Sequence, residues 1–124
     1  MTDLLVDLYA FGNAVGVKGP RPLDFGSVSD NDLVGPYAPS TPMDQIPGSS
    51  AFVDPHRAHL TGCYYVLPGN AELPAGLGIH ADGEDSGGLA PWGHRTIYPT
   101  TPMQFSKFRE LILGLPWQRA GKVG

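Results

Sequence analysis

A single cysteine, Cys63, stands in the chain of 124 residues, so no internal disulfide can form and no second thiol exists for a cysteine-based zinc site. Runs of positive charge are missing as well. The 8 Lys and Arg are scattered and outnumbered by 12 Asp and Glu, which leaves a net charge of -4. That balance lacks the basic footprint of a nucleic-acid or anionic-membrane binder, so neither is an expected partner. No apolar run approaches the roughly 20 residues that cross a bilayer. The opening MTDLLVDLYAF carries Asp3 and Asp7 where a signal peptide would carry positive charge, so any export is expected to use another route.

What is present suffices for one folded domain over residues 1–124. Hydrophobic residues make up 41% and charged residues 16%, enough apolar material for a core and too little charge for disorder. The 17 Gly and 13 Pro, nearly a quarter of the chain, lie between apolar runs and act as turn punctuation. Frequent turns imply short elements and a β-rich fold with long connections.

Five short strands can be read. LLVDLYAF (Leu4 to Phe11) is the first, and SAFVD (Ser50 to Asp54), CYYVLP (Cys63 to Pro68), LGIHAD (Leu77 to Asp82) and HRTIYP (His94 to Pro99) follow, with a meander as the simplest wiring. Between the first two lie two irregular segments, residues 12–26 and 27–50, of the length that tends to serve function. The repeated TPM triplet is too short to signal duplication. The closing stretch predicts a helix: Thr101 as N-cap, Pro102 at the first position, and Gln104 completing a T-x-x-Q capping box. Phe108, Leu111, Ile112 and Leu115 fall on one face of it, Lys107, Arg109 and Glu110 off it, and Pro116 ends it.

Chemistry-bearing residues are few. His56, His59 and Cys63 have ligand chemistry at H-x2-H-x3-C spacing but lack a fourth partner nearby, and a solvated turn explains them as well. Asp82, Glu84 and Asp85 lack the spacing of a calcium loop, so no metal site is expected. Spacing pairs none of Asp24, Asp54, Glu72 and Glu84 for acid–base work. G-x-S-x-G, P-loop and G-x-G-x-x-G motifs are absent from the sequence. Ser49 and Ser50 open a strand, where a hydroxyl either faces a cleft and binds sugar or phosphate, or bonds its own backbone in a turn. His94, just ahead of the last strand, is either a working group or a satisfied polar residue.

GPYAP (Gly35 to Pro39), GSSAFVD (Gly48 to Asp54), YYVLPGNAELPAGLGIHAD (Tyr64 to Asp82) and HRTIYPTTPM running into a closing helix occur in an order that resembles the ADP-ribosyltransferase-like toxins delivered by bacterial type VI secretion, which have fungal relatives. The resemblance covers about two-thirds of the chain. It implies an α+β, β-rich domain with a split sheet and a C-terminal helix, and a cleft that takes NAD as substrate. It also implies transfer of ADP-ribose to a target-cell molecule, or hydrolysis of NAD. His94 and Ser50 are then the catalytic candidates, and Arg21, Ser49 and Tyr9 the cofactor-binding ones. A secreted effector acting in the target-cell cytoplasm, paired with a cognate immunity protein, is the accompanying expectation. The alternative is a catalytically silent domain of the same shape that binds a protein. Two features depart from the pattern: LYA places Ala10 where such toxins carry a phosphate-binding Arg, for which Arg21 is the substitute, and no glutamate is clearly placed to orient ribose, Glu72 and Glu84 being the candidates.

Overall fold

The computed structural model describes residues 2–3 and 6–124. In chain order the strands are β1 (Thr2–Asp3), β2 (Leu8–Gly12), β3 (Leu33–Val34), β4 (Ser49–Phe52), β5 (Gly62–Leu67), β6 (Glu72–Leu73), β7 (Leu77–Ala81), β8 (His94–Pro99), β9 (Met103–Gln104) and β10 (Gln118–Val123), with helix α1 (Phe105–Leu113) between the last two. The fold is mixed α and β, rich in sheet, with its helix near the C-terminus, as the punctuation and periodicity require. The first expected strand begins at Leu4, and positions 4 and 5 lie outside the described residues; Val6 and Asp7 belong to no strand, and β2 starts only at Leu8 and runs one residue past the expected end.

Six strands form one antiparallel sheet in the order β10-β5-β2-β4-β8-β7. This is not the expected meander, because β2 lies between β5 and β4 and β8 lies between β4 and β7. β10 was not legible either: QRAGKV is an edge strand with mostly exposed residues, and its pairing is dictated by β5 rather than by an apolar alternation of its own. β1 pairs with β6, and β3 with β9, as small separate ladders.

Helix α1 buries Phe105, Phe108 and Ile112 against one face of the sheet, where they join Leu8, Ala51, Leu67, Leu77, Ile97 and Leu115 in the core. Burying each large side chain contributes roughly 1.5–3 kcal/mol, so this face holds the sheet together. The helix starts later than expected. Met103 and Gln104 are extended and pair with Val34 and Leu33, which leaves Gln104 as N-cap without a side-chain cap bond. Backbone carbonyls take the place of the capping box: Phe105 N–H donates to Asp32 O at 2.9 Å and Ser106 N–H to Asp30 O at 3.1 Å. Tertiary pairing therefore displaced a local start signal.

The sheet is nearly divided between β2 and β4. β2 keeps five register pairs with β5 from Leu8 to Gly12, and β4 keeps four with β8 from Ser49 to Phe52, but the two meet only at Tyr9 and Phe52. Beyond that pair they part, and the gap between them opens beside Ser50.

Candidate functional site

Side-chain alternation places the site. Ser50 lies opposite Thr96, Phe52 opposite His94 and Thr96 opposite His80, so all five side chains leave the sheet on the face away from α1. Asp82 follows directly on β7, two residues after His80, and lines one recess with Ser50, His94 and Thr96. Ser50 and His94 are diagonal neighbours on adjacent strands, and their side chains meet: His94 Nε2 is 3.0 Å from Ser50 Oγ. On the other side of the ring, His94 Nδ1 is 2.7 Å from Asp82 Oδ1. Thr96 Oγ1 donates to Asp82 Oδ2 at 2.6 Å, so both oxygens of this carboxylate are engaged. The Phe52 ring packs edge-on against the imidazole at 5.2 Å between centroids and supports it from below.

The protonation pattern follows from the partners. Burial by itself raises the Asp82 carboxyl, but the hydrogen bonds from His94 and Thr96 outweigh it and hold the group below the usual carboxylate range. An ionised carboxylate only accepts, so the Nδ1 of His94 carries the proton and donates it. In the neutral ring Nε2 is then bare and accepts from the Ser50 hydroxyl. The turn ahead of His94 is fixed by Asp85, whose Oδ1 accepts from Gly93 N–H at 2.6 Å and whose Oδ2 lies 2.9 Å from Arg95 Nη2. The Arg95 hydrogen bond is the main reason the Asp85 carboxyl is also lowered.

Two recesses meet at Ser50. One, of about 270 Å³, is bounded by Asp24, Asp44, Asp82 and His94 with Met43, Ile46 and Leu89, and carries no Lys or Arg. His80 ties its outer wall down, Nε2 lying 2.8 Å from the Asp44 carbonyl oxygen. The other recess, of about 360 Å³, occupies the gap between β2 and β4 and is lined by Lys18, Arg21, Ser49, Phe11, Phe52 and Trp117 among others. Asp24 and Ser50 border both.

The backbone of Ser50 also faces this gap. Val53 N–H donates to Gly93 O on the β8 side, and in an antiparallel ladder the bonding direction alternates along the strand. Ser50 therefore turns its N–H and C=O towards β2, where no strand pair reaches it among the described residues.

Of the residues singled out in the sequence, Ser50 and His94 are in contact, and Arg21 and Ser49 border the adjoining gap. The Arg21 guanidinium is engaged there with Asp24 at 3.0 Å. Ser49 alternates to the α1 side of the sheet and is buried. Tyr9 lies apart from them, in a third recess with Asp54, His56, Tyr64 and Trp92. Glu72 and Glu84 border neither recess at Ser50, so the carboxylates at the site are Asp24, Asp44 and Asp82. Asp82 is the residue that sequence reasoning missed. Its signal was its place at the end of the strand that flanks the His94 strand, and that adjacency is visible only once the sheet order is known. Comparison with known protein families, curated proteins and solved structures gave no match.

Proposed function

We propose that this protein cleaves the bond between nicotinamide and ribose in NAD, passing ADP-ribose to a target-cell molecule or to water, and acts as a toxin. The observation that carries the reading is that Ser50 and His94, 44 positions apart in sequence, come within 3.0 Å of one another beside parted sheet strands. The charge distribution around them supports it. Lys18 and Arg21 on the β2 side suit a pyrophosphate, since a guanidinium binds phosphate oxygens in pairs. On the other side, the Asp82 carboxylate at the edge of the first recess suits the positive charge that grows on ribose as nicotinamide leaves. The Ser50 N–H and C=O turned into the gap form a donor–acceptor pair complementary to a carboxamide. In this scheme His94 and the Ser50 hydroxyl hold the ribose.

The test is release of nicotinamide from NAD by the purified protein. Turnover is expected, with a fall of about 10²-fold or more in His94→Ala and in Ser50→Ala. The same substitutions should relieve growth arrest when the protein is expressed in a bacterial cytoplasm, and an immunity protein that fills the gap should suppress it. A folded wild-type protein that releases no nicotinamide, or an alanine variant that releases it at the wild-type rate, refutes the reading.

A further inference from the structure

The line of hydrogen bonds through Ser50, His94 and Asp82 suits a chemistry that goes beyond cleavage of NAD. We propose that Ser50 is a nucleophile and that the protein also hydrolyses short acyl esters, neutral or cationic, through an acyl-Ser50 intermediate. Ser50 is exposed at the mouth of the recess while its hydroxyl bonds to His94, whose side chain is only 14% exposed and that of its carboxylate partner 13%. A reachable hydroxyl backed by a sheltered base and a sheltered orienting acid is the arrangement that nucleophilic catalysis needs. Asp82 is the positioning residue. Thr96 pins its second oxygen, so the carboxylate cannot turn away from Nδ1, and the imidazole stays in the tautomer that leaves Nε2 free to accept.

The reaction balances with water as the only co-reactant. Ser50 Oγ bonds to the acyl carbon while its proton passes to His94 Nε2, and the carbonyl electron pair moves onto oxygen. The Ser50 N–H that points into the gap donates to that oxygen. The bond to the leaving alkoxide then breaks as Nε2 returns the proton to it. Water repeats the sequence on the acyl-serine, giving the carboxylic acid and the free hydroxyl. The lining selects the substrate: Met43, Ile46 and Leu89 receive a short acyl chain, and this recess, with no Lys or Arg in its lining, offers an anionic acyl group no partner.

Treatment with a neutral fluorophosphonate, read by intact mass and peptide mapping, tests this. Fluoride leaves as an Oγ–phosphorus bond forms, and one adduct on Ser50 is expected. Labelling should vanish in Ser50→Ala, slow by about 10³-fold in His94→Ala, and slow by about 10²-fold or more in Asp82→Asn. A cationic choline thioester should be hydrolysed at least tenfold faster than an anionic half-ester of the same length. Long-range proton–nitrogen spectra should show Nδ1–H on His94 in the wild type and lose that single tautomer in Asp82→Asn, with the signals of His56 and His59 unmoved as evidence of folding. A folded wild-type protein that takes no label at Ser50, equal labelling of His94→Ala, or Nε2–H on His94 overturns the proposal. Labelling without nicotinamide release leaves the nucleophile standing and removes the NAD reading; nicotinamide release without labelling does the reverse.

Discussion

Gly48 sits two residues before Ser50, pressed against β8, and exchanging it for alanine tests whether the spacing of these two strands sets the site. A methyl group there would lie 2.3 Å from Ile97 O and 2.5 Å from Thr96 Cγ2. Ordinary contact begins at 3.4 Å, and one of the atoms met is main chain, so β4 must retreat from β8 by about 1 Å. The same movement stretches the 3.0 Å bond between Ser50 and His94 to about 4 Å, beyond hydrogen-bond reach. Overpacking of this kind costs about 2 kcal/mol, which in a domain of this size lowers the melting temperature by about 8 °C. A misplacement of about 1 Å at a reacting group costs about 10²-fold in rate. Melting by circular dichroism gives the first quantity, and nicotinamide release with fluorophosphonate labelling gives the second. Gly16→Ala is the control, because a methyl there meets nothing within 4 Å. A Gly48→Ala protein that melts within about 1 °C of wild type and keeps its labelling rate refutes the view that close β4–β8 packing holds the site.

Phe108 is fully buried between α1 and the sheet, and Phe108→Ala should cost about 3–5 kcal/mol, read as a lowered urea midpoint with an unchanged slope; a cost under 1 kcal/mol would mean that the helix does not carry the core. The carboxyls of Asp44, Asp82 and Asp85 all lie below their ordinary value in the folded chain: Asp44 through the Ser40 and Thr41 amides, Asp85 through Arg95, and Asp82 through His94 and Thr96 against the opposing effect of burial. Groups with depressed folded values bind more protons when unfolded, so their stabilisation is complete above about pH 5 and is lost as pH falls below about 4. Urea titrations should therefore give a midpoint that declines steadily on acidification through that window, and a midpoint that rises there contradicts the assignments.

Local pattern alone determined a good deal of this protein. Periodicity at i, i+3 and i+4 marked Phe108, Leu111, Ile112 and Leu115 as one buried face, of which Leu111 is only half-buried and Leu115 lies beyond the end of α1, and short apolar runs between Gly and Pro marked β2, β4, β5, β7 and β8, because side-chain direction within one element depends only on nearby residues. Ser50 and His94 were singled out through the family resemblance, since their places at strand starts left a working group and a satisfied polar residue equally open. Which strand lies beside which was decided by tertiary pairing, since the polar β10 is held by β5 and the start of α1 yields to the β3–β9 ladder. The contact of His94 with Asp82 has the same origin: it exists because β7 and β8 are neighbours in register, and no spacing along the chain encodes that they are. The parting of β2 from β4, which leaves the backbone of Ser50 facing the gap, is a property of two strands that follow different partners, and it appears only when the whole sheet is assembled.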